Sequence, residues 1–334
     1  MSNRFCGRLW RAALGLTVTL STGAAWTCHA ADPARVISDS QVVPAGRTVA
    51  EEDSDAWMYR GMTVVEAGTS TMAARREAAA AIPLQQLTEE ARAKAQHVLN
   101  STGLYRHLPT ISFEADPDVY SYFLHHPDVA VSTWRALQIS RFQLSETSPG
   151  RYTADAGDGS VGQVEVFYRT PQDTLIYCDG AFKSPLVPRP IAARALMRVQ
   201  TRFDRTPDGK VVATHHGDVF VEFPSQTVET IARLISPVSH SIADKNFKQL
   251  TLFVQMMSQA MARHPEWVER LAERMDGVSE QSKSQMCEVG SLATQRRLHL
   301  ATPGDSQVPL EQILTPLQAA PKVAVEPVSA RKIR

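Results

Sequence analysis

The sequence predicts an α+β fold in which a curved antiparallel sheet packs against a long C-terminal helix, with extra helices before the sheet. Two observations carry this prediction. Segments with a two-residue hydrophobic period and short connections fill the middle of the chain, and an amphipathic helical segment follows them. Since consecutive strands on short connections pair in antiparallel order, we expect a meander.

Composition and charge exclude several classes of protein. The chain has 334 residues, of which 43% are hydrophobic and 7% aromatic, so it is neither collagen-like nor of low complexity. It carries 35 basic and 35 acidic side chains. Proteins that bind nucleic acid usually show a clustered basic excess, so we expect no nucleic-acid partner.

The first 30 residues have the order of a secretory signal peptide. Three arginines between residues 4 and 11 precede an apolar run around Ala12–Leu20, and small residues precede a cleavage site after Ala30. The alternative is an uncleaved membrane anchor, but Thr and Ser residues dilute the stretch below about 20 strongly apolar residues. We therefore expect an exported protein, periplasmic or secreted.

Residues 31–105 are predicted to form a leader with two helices. Pro, Ser, Asp, Glu and Gly dominate it up to about residue 70, whereas Met72–Ala81 and Leu87–Leu99 are strong helix formers. The compact domain is expected over residues 106–275. A flexible, Pro-rich tail is expected over residues 276–334.

Inside the compact domain the predicted order is one strand, two short helices, six strands and a helical region. The first strand is Leu108–Phe113, and the two short helices open at Asp116-Pro117 and at Asp128. In the helical region, Pro237 separates a first segment from a second that opens at Asp244. The six strands are predicted at Ile139–Glu146, Arg151–Ala154, Val161–Arg169, Thr174–Lys183, Ile191–Phe203 and Lys210–Phe223, and the first helical segment at Val228–Ile235.

This order of elements resembles that of the START-like, or helix-grip, superfamily over roughly residues 106–263. Known relatives include lipid-transfer domains, plant ligand-binding proteins and polyketide cyclases or dehydratases. The chain thus resembles a divergent member of this superfamily. The resemblance implies a hydrophobic ligand that is held between the sheet and the last helix. Pro237 departs from the pattern, because it predicts two helices where the family usually has one.

Strand parity predicts which side chains face such a ligand. One face of each strand is expected to oppose the helix and the other to meet water, although Leu196 breaks the alternation. The predicted ligand-binding residues are Ala193, Ala195, Met197 and Val199 on one strand, His215, Gly217 and Val219 on the next, and Leu250, Val254, Met257 and Met261 on the helix.

His215 is the candidate for acid–base chemistry. An imidazole changes charge near neutral pH, so it could serve a cyclase or dehydratase as acid–base group, with Tyr168, Tyr177 or Asp179 as partner. It could also anchor the polar head of a ligand. The alternative is a neutral core histidine bonded to a backbone carbonyl.

Other motifs predict neither a cofactor nor a metal site. Residues 157–162 match G-x-G-x-x-G, but a strand and not a helix follows them, so we read a hairpin turn. Adjacent histidines at 125–126 and 215–216 diverge on a helix or strand instead of converging on one ion.

Two cysteines remain once residues 1–30 are removed. In an oxidising compartment Cys178 and Cys287 are predicted to form a disulfide, against the alternative of one buried thiol and one free thiol. The pair lacks the close spacing that structural zinc sites use.

Three functions stay open at this point. The first is an exported protein that binds a lipid or other hydrophobic small molecule, with contact to the envelope or a membrane surface left open. The second is a cyclase or dehydratase type of enzyme that uses His215. The third is an envelope structural or interaction protein without an open pocket.

Overall fold

A computed structural model describes residues 61–183, 190–224, 236–300 and 308–319. The predicted signal peptide and the predicted segment Val228–Ile235 lie outside these residues. Within them the strands are β1 (Met62–Glu66), β2 (Thr102–His107), β3 (Thr110–Glu114), β4 (Gln143–Ser148), β5 (Arg151–Asp155), β6 (Val161–Arg169), β7 (Asp173–Phe182), β8 (Ile191–Arg205) and β9 (Val211–Glu222). The helices are α1 (Met72–Ala80), α2 (Glu89–Asn100), α3 (Pro117–His125), α4 (Pro127–Ala136), α5 (Ser236–Arg263), α6 (Pro265–Glu273), α7 (Glu280–Leu300) and α8 (Leu310–Ala319).

The nine described strands form one antiparallel sheet, with eight in the order β1-β3-β9-β8-β7-β6-β5-β4 and β2 paired with β9 off this path. The predicted meander is present as β4 to β9, in which each strand pairs with the next. Glycines with positive φ, such as Gly150 at 72° and Gly209 at 83°, allow the tight turns between strands. The fold is therefore α+β with a large antiparallel sheet.

The leader contributes strands that the sequence did not predict. β2 pairs with the C-terminal half of β9, and β1 pairs with β3. The described part of the sheet therefore includes Met62–Glu66, well before the predicted domain start at residue 106. These strands are short and pair with segments far along the chain, so local periodicity carries little sign of them.

Helices cover both faces of the sheet. On one face, called here the inner face, α3, α4 and α5 build the main core with side chains such as Phe113, Trp134 and Phe253. On the opposite, outer face, α1 and α2 cover a second cluster that contains Leu196 and Phe220. The expectation that the outer face meets water is wrong for this part of the sheet. Leu196 breaks the hydrophobic alternation because the outer face of the sheet, to which its side chain points, is also buried.

The described helix α5 runs over 28 residues from Ser236 to Arg263, and Pro237 lies in its first described turn, where a missing N–H costs no intrahelical hydrogen bond. The segment predicted before Pro237 lies outside the described residues, so the expected break at Pro237 stays a prediction. Asp244 lies within the helix and does not begin it. Its carboxylate accepts a hydrogen bond from Arg106 Nε at 2.8 Å, which ties the helix to β2.

The predicted flexible tail contains two helices in its described part. α7 packs against α3, α5 and α6, and α8 packs against α5. Only Met286, Gly290 and Ala293 are buried along the 21 residues of α7, so its apolar stripe is too thin to reveal the helix in the sequence. Arg296 on α7 also pairs through two N–H groups with Asp116, the N-cap of α3.

None of the helices in the described parts of the chain is long and apolar enough to cross a membrane.

A pair of substitutions on α7 tests whether this helix is part of the folded domain. Met286→Ala removes a side chain with 0% exposure and should cost about 2–5 kcal/mol of unfolding free energy. Leu292→Ala, on the same helix but 41% exposed, should change it by less than about 0.5 kcal/mol. Chemical denaturation measures both, and equal small effects would mean that α7 is not packed on the core.

Candidate functional site

An apolar cavity of about 190 Å³ lies between the inner face of the sheet and the N-terminal half of α5. Strands β4, β6, β7, β8 and β9 contribute its floor, and α4 and α5 contribute its walls. Its lining residues are Leu108, Val131, Trp134, Phe142, Leu144, Val164, Cys178, Met197, Val219, Ala243, Asn246, Phe247 and Leu250.

The register of the strands explains why these side chains meet. Cys178 pairs with Val164 on one side and with Ala195 on the other. Met197 pairs with Val219 on the next strand. Residues two apart on a strand share a face, so these positions form neighbouring rows beneath α5.

The cavity suits a small apolar molecule. An apolar cavity of about 150 Å³ stays dry and can bind benzene, whereas pockets for drug-sized ligands measure about 300–1,000 Å³. At about 190 Å³, this cavity has room for one substituted ring or a short acyl chain.

Three of the predicted ligand-binding residues line the cavity, namely Met197, Val219 and Leu250. The others lie on the predicted face but elsewhere in the core. A Cβ on Gly217 would come within 3.2 Å of both a Leu108 methyl carbon and the Arg198 carbonyl oxygen, so this small residue marks close packing. The predicted residues that do not line the cavity are Ala193, Ala195, Val199, His215, Gly217, Val254, Met257 and Met261.

Several lining residues are not among the predicted ligand-binding residues. Val164 and Cys178 could have been found by extending strand parity to β6 and β7, since they share a row with Ala195. The contributions of Trp134 and Ala243 depend on how α4 and α5 cross the sheet. Strand parity contains no information about that crossing.

His215 is the centre of a buried chain of hydrogen bonds. Thr251 Oγ1 donates to the Phe247 carbonyl at 2.9 Å, so Thr251 Oγ1 accepts from His215 Nε2 at 2.8 Å. His215 Nδ1 then accepts from the Tyr120 hydroxyl at 3.0 Å, and that hydroxyl oxygen accepts from Thr201 at 2.6 Å. Every side-chain polar hydrogen in this series of hydrogen bonds has a partner when the imidazole is neutral.

Burial lowers the pKa of His215 to about 3. The aromatic rings of Phe113 and Phe247 lie 5.0 and 4.5 Å from the imidazole, centroid to centroid. An imidazole that stays neutral at physiological pH and uses both nitrogens in structural bonds is poorly suited to proton transfer.

The partners proposed for His215 lie on the other face of the sheet. Tyr177 belongs to the outer cluster, and Tyr168 packs against that cluster. Asp179 accepts from the Tyr177 hydroxyl at 3.3 Å and from Arg194 Nε at 3.2 Å. The structure therefore does not bring the proposed acid–base group and its partners together.

Both cysteines carry free thiols, in contrast to the predicted disulfide. Cys178 lies in β7 and lines the cavity, where burial raises the pKa of its thiol to about 12. Cys287 lies on α7, which packs on α3, α5 and α6. Cys178 therefore belongs to the sheet, whereas Cys287 belongs to the layer of helices.

The outer face holds a separate polar layer beneath the leader. Asp218 accepts from the Tyr105 hydroxyl at 2.7 Å, and His107 Nδ1 lies 2.8 Å from the same carboxylate. The hydrogen bond to Asp218 raises the pKa of His107. These contacts fasten β2 to β9. Within the described residues, no three His, Cys, Asp or Glu side chains are placed to hold a metal ion.

Comparison with protein-family models finds no match, and no curated protein matches the chain. Among solved structures, a conserved protein from Geobacillus kaustophilus is 16% identical, with a TM-score of 0.25 over 41% of this chain and 90% of that one. An uncharacterized protein from Rhizobium leguminosarum is 18% identical, with a TM-score of 0.24 over 46% of this chain and 91% of that one. The di-domain ARO/CYC protein BexL from the BE-7585A biosynthetic pathway is 17% identical, with a TM-score of 0.24 over 47% of this chain and 56% of its own length. At these TM-scores, the fold assignment relies on the geometry described above.

His215 should make stability depend on pH. Its folded-state pKa of about 3 lies below the ordinary value of 6.5, so between these values the unfolded chain binds the extra proton. The stability that neutral His215 contributes is present above pH 6.5 and is lost as pH falls toward 3. From pH 7 to 4.5 the loss should be roughly 2–3 kcal/mol.

Denaturation at a series of pH values measures this dependence. His215→Gln keeps hydrogen-bonding capacity but does not titrate, so its unfolding free energy should fall less steeply on acidification. His299→Gln, exposed on α7, is the control and should retain the slope of the parent. Equal slopes in the parent and His215→Gln would contradict the buried neutral imidazole.

Proposed function

We propose that this chain is a divergent helix-grip protein, exported from the cell, that holds one small apolar molecule between its sheet and α5. The observation that carries the proposal is the cavity of about 190 Å³ beneath α5. Trp134, Phe142 and Phe247 are among its lining residues and supply aromatic surface for such a ligand.

The unfilled apolar surface between the sheet and α5 supports a binding function. Apolar side chains that line such a space lack packing partners on one side and lose dispersion contacts there. A bound apolar ligand restores the missing contacts.

Binding is favoured over the cyclase or dehydratase alternative. The cavity is smaller than the pockets that usually hold drug-sized ligands, and a polycyclic substrate needs more room. His215 is absent from the cavity lining, and both of its ring nitrogens are engaged in the buried hydrogen-bond chain.

Filling the cavity from α5 tests the proposal. Ala243 lines the cavity, whereas Ala260 on the same helix is fully buried and does not. Ala243→Phe should leave the melting temperature unchanged or higher and abolish binding of fluorobenzene, followed by ¹⁹F NMR. Ala260→Phe should overpack the core and cost about 1–3 kcal/mol.

The protein for this experiment is taken from the exported fraction, and its mass should correspond to a chain that begins at Ala31. Retention of Met1 would contradict the export part of the proposal. Absence of fluorobenzene binding by the parent, together with equal destabilisation by Ala243→Phe and Ala260→Phe, would contradict the ligand-binding part.

A further inference from the structure

Arg169, the last residue of β6, has two buried donors without acceptors. Its Nη1 donates to the His125 carbonyl at the end of α3, at 3.3 Å. Its Nε and Nη2 are both buried, and neither has a hydrogen-bond partner among the described residues. Leaving charged buried donors unpaired is costly, so these two groups need an explanation.

Two other arginines on the sheet, Arg194 and Arg198, are paired with carboxylates. Arg198 Nη2 lies 2.6 Å from the Asp173 carboxylate, and Arg194 pairs with both Asp179 and Glu222. No described carboxylate lies within ion-pair distance of Arg169. Arg169 differs from these two arginines because its buried guanidinium has no counter-ion among the described residues.

A second unpartnered polar atom lies beside Arg169. Thr174 on β7 is directly opposite Arg169 in the register. Its side chain has 0% exposure, and its hydroxyl has no partner among the described residues. By contrast, Thr201 and Thr251 on the same side of the sheet both use their hydroxyls in the His215 chain.

The register places this pair on the same face of the sheet as the cavity, beyond the residues that line it. Ile176 lies two residues along β7 from Thr174 and pairs with Met197, which lines the cavity. Thr174 itself pairs with Val199. Since a strand rises about 3.3 Å per residue, the polar pair lies about 7 Å beyond the Ile176–Met197 pair, on the same face.

The unpartnered donors of Arg169 form one edge of its guanidinium group. Nε–H and Nη2–H point in the same direction, so they can donate two parallel hydrogen bonds to the two oxygens of one carboxylate. Nη1, which lies outside this edge, is the atom already bonded to His125. The free edge therefore has the geometry of a carboxylate receptor.

We propose that Arg169 and Thr174 bind the carboxylate of an apolar carboxylic acid whose hydrocarbon part occupies the cavity. This inference rests on the proposed function and adds the class of ligand. Arg169 holds the carboxylate through its free edge, and the Thr174 hydroxyl donates to one of the two oxygens.

Neighbouring ionisable groups set the local charge. His125 and His126 lie near Arg169, and burial together with the Arg169 charge lowers the pKa of His125. Burial also raises the pKa of Asp128, the acid at the start of α4, and Glu146 lies close enough to act in the same direction. These carboxylates make no ion pair with Arg169, so they do not occupy the edge of its guanidinium group that would hold the ligand carboxylate.

Matched ligands test this inference on the full exported chain. Octanoate, 1-octanol and octyl phosphate share a hydrocarbon tail and differ in the head group. By isothermal titration calorimetry the parent should bind octanoate at least about tenfold more tightly than 1-octanol. Octyl phosphate distinguishes a carboxylate site from a general anion site, and tighter binding of the phosphate than of octanoate would overturn the assignment to carboxylic acids.

Arg169→Met should reduce the affinity for octanoate to that for 1-octanol and leave 1-octanol binding unchanged. Arg202→Met, which removes an arginine paired with Asp204 on the surface, is the control and should keep the octanoate preference. Thr174→Val, a substitution of similar shape, should weaken octanoate binding severalfold. Thr174→Val removes an unpartnered hydroxyl and should not lower the melting temperature. Arg169→Met also removes the hydrogen bond from Nη1 to the His125 carbonyl and should lower it only slightly.

The outcomes separate the two proposals. Equal affinity of the parent for octanoate and 1-octanol, or a preference that survives both Arg169→Met and Thr174→Val, would overturn the carboxylate site and leave the apolar cavity in place. If the parent binds neither molecule, the proposed function fails and the carboxylate site fails with it. A large loss of melting temperature in Arg169→Met and in Thr174→Val would show a structural role for the pair instead.

Discussion

The buried hydrogen-bond chain through His215 sets the distance between the sheet and the two helices above it. It joins Thr201 on β8 and His215 on β9 to Tyr120 on α3 and Thr251 on α5. Such a chain tolerates little displacement, because a partly satisfied buried network costs more than an apolar contact. The cavity lies nearer the N-terminus of α5 than this point, between Ala243, Phe247 and Leu250 on the helix and Met197 and Val219 on the sheet.

The outer face shows why the sheet can be held so firmly. α1 and α2 cover Leu196 and Phe220, and polar contacts such as Tyr105 with Asp218 connect the leader to β9. The sheet is therefore buried on both faces over its centre, and its inner face can carry an incompletely filled layer while the outer layer adds stability. The helical segment after residue 275 contributes on the inner side by packing Met286 into the main core.

Local sequence patterns predicted the strands of the meander and several helix starts well. A short helix was predicted to open at Asp116-Pro117, and the Asp116 carboxylate caps α3 by accepting from the backbone N–H groups of Asp118 and Val119. β6 was predicted at Val161–Arg169 with the observed bounds. Features that depend on distant contacts were missed, including the pairing of β2 with β9 and the helix α7.

The sequence predicted which face of the sheet carries the candidate site, but not which residues on that face line the cavity. Ala195 points to the inner face as parity indicated, yet it is 1% exposed and packs outside the cavity. A small side chain can mean open space or close approach, and the sequence does not distinguish them. The unpartnered Nε and Nη2 of Arg169 could not be predicted either, because the sequence does not show which carboxylates lie near a given arginine.

Crystallography under xenon pressure tests most directly whether the space beneath α5 is an apolar ligand site. Xenon enters dry apolar cavities of this size and is easily recognised in electron density. We predict one strong xenon peak between Trp134, Met197 and Phe247, with little movement of the surrounding side chains. The absence of xenon there, with the side chains in contact or with ordered waters in the space, would contradict the site.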